Sequence, residues 1–269
     1  MSNDRRQILL GAMGIGAGAL GASAALAAAN AGKAVTLDAD LVVKIRQDLA
    51  ARECEYLMHR YEGLLSAAHL EEALDLFALK QPDVQSDVGF GFYYGAASCR
   101  RLFVGLHGYL EREAGTMKMK NGALYLVANT TGIVEVAQDL KTAKAHWLCP
   151  TISTPGNEKS GFRAITGYAH RVADFIVEDG KWKIWHYMVY GLLYNPADKV
   201  WTDPAVYNEV AKAQDLSWIP KEFAPDAGSA PGIGREYAWR PDRPPTTVRL
   251  PEPYRTFSET FSYARKWPA

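Results

Sequence analysis

The chain has 269 residues, 48% of them hydrophobic and 11% aromatic, and its 30 Lys and Arg are balanced by 30 Asp and Glu. A net charge of zero carries no footprint for nucleic acid or for an anionic membrane surface. Its three cysteines, Cys54, Cys99 and Cys149, are odd in number and set in apolar context, so they spell neither a disulfide framework nor a zinc pattern and are expected as buried small hydrophobes.

The chain opens MSNDRRQILLGAMGIGAGALGASAALAAANA, where Arg5 and Arg6 precede a Gly/Ala-rich apolar stretch and the small-residue triplet Ala29-Asn30-Ala31. This reads as a twin-arginine export signal, residues 1–31, cleaved after Ala31 and delivering a periplasmic protein with no membrane attachment. Losing Arg5, Arg6 and Asp4 with it moves the net charge from zero to −1. A second region, residues 38–199, then forms a single domain.

From Asp40 to Leu79, apolar residues at three- and four-residue spacing (Leu41, Ile45, Leu49, Leu57, Tyr61, Leu64, then Leu70, Ala73, Leu74, Phe77) predict two helices with a break near residues 63–68. VQSDVGFGFYY predicts a short strand, and Cys99, Leu102, Phe103, Leu106 and Leu110 mark one face of a third helix ending near Gly115. ALYLVAN, GIVEVA, TAKAHWLC, FRAITGYAHRVADFIV and KWKIWHYMVYGLLY then predict strands as far as Tyr194. Helices followed by an antiparallel meander imply an α+β domain. Residues 200–269 hold ten of the fourteen prolines and many aromatics, and are expected as an extended arm packed on the core or on a neighbouring subunit.

The stretch VEDGKWKIWHYMVYG carries the strongest local signal, since Asp179-Gly180 between alternating runs predicts a type I′ hairpin. With Glu178 facing Lys181, one sheet face carries Val177 with Trp182, Phe175 with Ile184, Ala173 with His186, and Arg171 with Met188, followed by Tyr190. The other carries Lys183, Asp174 and His170. The first is expected to be buried, which puts His186, Arg171 and Tyr190 inside. A buried arginine needs an anionic or hydrogen-bonding partner. Either a helix glutamate supplies it, with His186 a core residue bonded to backbone, or a ligand does at the polar end of an apolar pocket.

Three segments also make the chain resemble the SnoaL-like branch of the nuclear transport factor 2-like superfamily: RYEGLLSAAHLEEALDLFA, TTGIVEVAQDLKTAKAHW and VEDGKWKIWHY. The resemblance implies a conical, barrel-like fold in which a strongly curved antiparallel sheet and three N-terminal helices enclose an apolar cavity. It implies enzymes without cofactors and association of copies into a dimer or trimer. Tyr61 matches the family's helix tyrosine, whereas Ser66 stands where its aspartate would be and Tyr125 where its histidine would be. The catalytic set is therefore expected as Tyr61, Arg171, His186 and Tyr190, with Ser66, His69, Tyr125, Trp147, Phe175 and Trp182 holding substrate. His107, His59, and the outward His146 and His170 are weaker candidates.

Tyrosine and histidine exchange protons near neutrality, arginine holds a phenolate or carboxylate, and the aromatic residues offer flat surfaces to a ring. The expected activity is a cofactor-independent lyase that eliminates water or formaldehyde from a hydrophobic, aromatic, lignin-derived substrate, and the chain is also similar to the γ-formaldehyde lyases acting on diaryl compounds. A non-catalytic binder of hydrophobic small molecules and an assembly module are the alternatives. No metal is expected, because no His/Asp/Glu cluster has ligand spacing.

Overall fold

The computed structural model describes residues 38–112, 122, 124–154, 156–157, 161–207, 216–230, 233, 239–245 and 247–267. The expected export signal, residues 1–31, lies outside them. The chain divides into two compact units, Met1–Ile45 and Arg46–Ala269. The second holds every element except the opening of the first helix. Among the described residues, no helix is long and apolar enough to cross a membrane.

Helix α1 (Ala39–Ser66) buries Ala50, Cys54, Met58, Tyr61, Glu62 and Leu65. This stripe lies beside the expected one, and Leu41, Ile45 and Leu49 are exposed. The helix stops where Ala68 takes a left-handed φ of 57°, and α2 (Leu70–Leu74) follows. The expected single strand in VQSDVGFGFYY is instead two, β1 (Gln85–Asp87) and β2 (Phe92–Tyr94), folded back on each other with Gln85 opposite Tyr94. Gly89 and Gly91, both at positive φ, supply the reversal. Helix α3 (Ala96–Arg100) runs through a π-helical turn (Arg101–Leu106) into α4 (His107–Arg112). Its buried face is the expected one: Cys99, Leu102, Phe103, Leu106 and Leu110.

The strands that follow are β3 (Tyr125–Val127), β4 (Thr130–Val136), β5 (Thr142–Ser153), the short pair β6 (Gly156–Asn157) and β7 (Gly161–Phe162), β8 (Ile165–Glu178) and β9 (Lys181–Pro196). Seven of them form a curved, unclosed sheet in the order β2-β1-β9-β8-β5-β3, with β4 also on β5, antiparallel throughout except for the parallel β1–β9 pair. The α+β class is as expected. The main core fills the inner face of the sheet, where Trp147, Phe175, Ile184 and Tyr187 meet Tyr61 and Phe103 from the helical segments and Phe77, which bridges to Ile184 just after α2.

The hairpin turn is also as expected, with Asp179 at φ 50°, Gly180 at φ 73° and Glu178 opposite Lys181. Its register holds only as far as Phe175 opposite Ile184. A β-bulge then inserts one extra residue, so Asp174 faces His186, Ala173 faces Tyr187 and Arg171 faces Val189. Because side chains alternate with period two, one inserted residue exchanges the faces of the residues beyond it on that strand, as far as a second bulge between Gly191 and Leu193. His186, Met188 and Tyr190 therefore lie on the outer face, and Tyr187 and Val189 on the inner one.

That outer face is covered by the C-terminal arm. Asp174 accepts hydrogen bonds from Lys144 Nζ (2.8 Å), Ser262 Oγ (2.7 Å) and the Tyr263 amide (2.9 Å). The Lys144 ammonium sits 4.3 Å from the Phe257 ring centre and 4.8 Å from that of Phe261, with Tyr254 and Tyr263 beyond. An ion pair removed from water needs such contacts to offset its desolvation. Deleting residues 248–269 should leave Lys144 and Asp174 wet and the apolar side chains of Val172 and Met188 bare. The expected result is a lower melting temperature and new binding of a hydrophobic dye; unchanged values for both would show the arm to be a loose tail.

Candidate active site

Between the inner face of the sheet and the helices lies a cavity of about 180 Å³. Five tyrosines line it, namely Tyr61 from α1, Tyr125 from β3, Tyr168 from β8, and Tyr187 and Tyr194 from β9, together with Arg171, His107, Val88, Phe90, Thr151 and Ser153. His107 follows the π-helical turn directly and is buried, edge-on to Phe90 at 5.9 Å and to Phe103 at 5.8 Å between ring centres.

Arg171 is paired with Glu62 of α1, and its Nη1 donates to the Tyr187 hydroxyl at 2.8 Å. Tyr187 in turn donates to Glu62 Oε1 across a long 3.4 Å. The guanidinium thus has the helix glutamate that one of the two sequence readings required. Two buried atoms of the group, Arg171 Nε and Glu62 Oε2, have no hydrogen-bond partner among the described residues. Nor does the Tyr61 hydroxyl, whose ring stands edge-on to that of Tyr187 at 5.3 Å. Burial pushes the Tyr61 and Tyr187 phenols far above their ordinary range, with the Arg171 charge opposing only in part. Both are therefore neutral hydrogen-bond donors at physiological pH. Tyr187, polarised by Arg171 and only loosely held by Glu62, has a proton to offer a ligand oxygen.

Of the residues expected at the site, Tyr61, Arg171 and Tyr125 line the cavity. Trp147 and Phe175 share the same sheet face but are spent on each other, edge-on at 6.4 Å, within the packed core. Trp182 packs half-buried on that core. Ser66 and His69 sit at the helix break, where His69 is exposed and pairs with Glu72 at 3.2 Å. The bulge removes His186 and Tyr190 to the outer face, where Tyr190 packs beside Ile233 in a cluster covered by the arm. Tyr187, His107 and Glu62 take their places around the cavity. A spacing of three and four along α1 marks Glu62 only weakly, because it adjoins the stripe's own Tyr61.

His186 is a structural histidine. Its Nδ1 lies 2.8 Å from Asp174 Oδ2, its ring stacks on Trp185 at 4.2 Å, and Asp83 Oδ2 stands 3.7 Å from Nε2. Burial alone would lower its pKa, but the two carboxylates outweigh burial and hold it above the ordinary value. A raised pKa contributes stability that is fully present below the unfolded value of about 6.5 and is lost as pH rises through the folded one. The stability gap between the wild type and His186→Gln is therefore expected to be widest near pH 5.5 and to shrink toward pH 9, measured by urea denaturation. A gap that grows with pH would mean that the histidine is neutral in the folded protein. His146 and His170 form a second outer-face pair, 2.7 Å apart, and burial together with the neighbouring His170 pushes His146 down to about 4. Among the described residues, no three His, Cys, Asp or Glu side chains gather as a metal site would require.

No family model matches this chain, and no curated protein is similar to it. Among solved structures it is similar to a candidate scytalone dehydratase from Novosphingobium aromaticivorans, at 15% identity over 61% of this chain and 96% of that one, with a TM-score of 0.43. It is similar to a type 2 hexachlorocyclohexane dehydrochlorinase at 14% identity over 60% and 97% of the two chains, TM-score 0.43. It is also similar to a nuclear transport factor 2-like protein with a cystatin-like fold from Novosphingobium aromaticivorans, at 21% identity over 56% and 88%, TM-score 0.38.

Proposed function

We propose that the chain is a cofactor-independent lyase or isomerase acting on a hydrophobic, oxygenated, single-ring substrate. One observation carries the reading: Tyr61, whose hydroxyl has no hydrogen-bond partner among the described residues, lines one cavity with Tyr187, whose hydroxyl is backed by Arg171, and with His107. Two neutral donors converging on one oxygen favour an enolate or phenolate over its neutral parent, which is where charge develops in a proton abstraction. Engineered cavities of about 150 Å³ take up benzene. A space of about 180 Å³ therefore suits one substituted ring, and a lignin-derived diaryl substrate would have to leave its second ring outside, past the exposed Tyr168.

In an elimination at this site, His107 withdraws a proton from the carbon next to a carbonyl. The C–H electrons move onto the carbonyl oxygen held by Tyr61 and Tyr187. As the carbonyl re-forms, the C–O bond on the neighbouring carbon breaks, and the departing oxygen takes the proton back from His107 and leaves as water. If formaldehyde is the group lost, the same base takes the O–H proton of a hydroxymethyl group on the carbon next to the carbonyl, the C–C bond breaks with its electrons settling on the held oxygen as an enolate, and His107 returns the proton to that carbon. The test is incubation with a panel of single-ring and two-ring β-hydroxy ketones, α-hydroxymethyl aryl ketones among them, with products read by mass spectrometry. Turnover of single-ring members is the expected result. Tight binding of the same compounds with no product would make the protein a carrier instead.

A further inference from the structure

The loop between β1 and β2 forms one wall of the cavity through Val88, Gly89 and Phe90. Both glycines in it have positive φ. It is fixed from outside, by a segment 130 residues and more away in sequence. Asp87, at the root of the loop and fully buried, accepts at Oδ1 from Ser229 Oγ (2.8 Å) and from the Gly89 amide (3.3 Å), and at Oδ2 from the Ala230 amide (3.0 Å). Ser229 Oγ also accepts from the Gly91 amide at 3.2 Å, so one hydroxyl holds both ends of the loop. Ala227 pairs with Phe92, and Asp226 Oδ2 accepts from the Tyr94 amide at 2.8 Å. Pro225 crosses so close that a Cβ on Gly91 would stand 2.4 Å from its ring. Phe90, at the loop's tip, lies edge-on between Trp218, at 6.0 Å, and His107, at 5.9 Å.

We propose that residues 216–230 act as a strap that sets the size selectivity of the cavity, with Ser229 and Trp218 as positioning residues that hold Phe90 against His107. The proposal rests on the cavity being the ligand site. A wall made of a glycine-flanked loop yields unless something clamps it, because glycine opposes few backbone rearrangements. The strap supplies the clamp with the Ser229 hydroxyl and the Ala230 amide, both donating to the buried Asp87 carboxylate, and with Trp218 as an aromatic backstop. With it in place the wall stands close and one ring fits; with it slackened, Phe90 can swing away and a second ring gains room.

Two phenols that differ by one ring test this without requiring turnover: 4-nitrophenol and 4-hydroxy-4′-nitrobiphenyl, followed by absorbance difference on binding. The wild type is expected to prefer the single ring. Ser229→Ala and, separately, Trp218→Ala should each cut that preference by about tenfold, the lower end of what a shaped apolar pocket discriminates, while Ser258→Ala, exposed and remote, should leave it alone. If both strap variants melt earlier yet keep the wild-type ratio, the strap is a brace with no part in selection and the proposal fails. A wild type that takes up neither phenol overturns the proposal together with the cavity as a ligand site. An unaltered ratio in a protein that does turn over its substrate overturns the proposal alone.

Discussion

Arg171→Met is expected to cost about 3–5 kcal/mol of stability, the usual consequence of removing one partner from a buried ion pair. Glu62 would be left in the core with a charge and two oxygens to satisfy, of which Oε2 already has no partner among the described residues. The Tyr187 hydroxyl would lose its only donor among the described residues, Arg171 Nη1. For a chain of this size each kcal/mol is worth roughly 2–4 °C, so a fall in melting temperature of about 6–20 °C should accompany the change. Adding Glu62→Gln to the same chain removes the stranded charge and should restore part of the loss. If Arg171→Met alone lowers the unfolding free energy from urea denaturation by less than about 1 kcal/mol, water reaches the pair through the cavity and the group is not the dry anchor described above.

His107→Gln is expected to act on rate rather than on folding. The substitution keeps the size and a hydrogen-bonding end against Phe90 and Phe103, but glutamine takes up no proton. Turnover of whichever panel member proves to be the substrate should slow by about 10² to 10⁴, the worth of a positioned general base, with KM and melting temperature little changed. His186→Gln is the matched control, since His186 lies on the opposite sheet face, and it should leave kcat within about threefold. The reverse pattern, with His186→Gln slow and His107→Gln normal, would move the chemistry to the outer face and end the present assignment.

The comparison of those two histidines shows how far the sequence could be read. Local chemistry was legible: Asp179-Gly180 predicts its own turn, and the third helix shows its buried face by spacing alone. The bulge at Trp185 was not, because no glycine or proline marks it. What stabilises it is distant, for Asp174 and His186 meet Ser262 and Tyr263 only after the arm has folded over them. One unmarked residue was enough to exchange His186 for Tyr187 at the cavity. Arg171 lies beyond the bulge yet keeps its expected inner face, because the extra residue is on the partner strand. Its glutamate was foreseen as a type of partner and not as Glu62. The aromatic content of residues 200–269 did not show that Ser262 and Tyr263 would meet Asp174 on the outer face, nor that Ser229 and Ala230 would bind Asp87 behind the cavity wall.

The contact between Asp174 and the Tyr263 amide spans 89 residues. During synthesis at about 5–20 residues per second, Asp174 therefore leaves the ribosome roughly 4–18 seconds before Tyr263, and Lys144 earlier still. Through that interval the long hairpin can form while its outer face stays open, and a chain broken off early never closes it. In such fragments Val172, Met188 and the Lys144–Asp174 pair would lack the cover of Tyr263, so the outer face of the hairpin is complete only once residue 263 has been made.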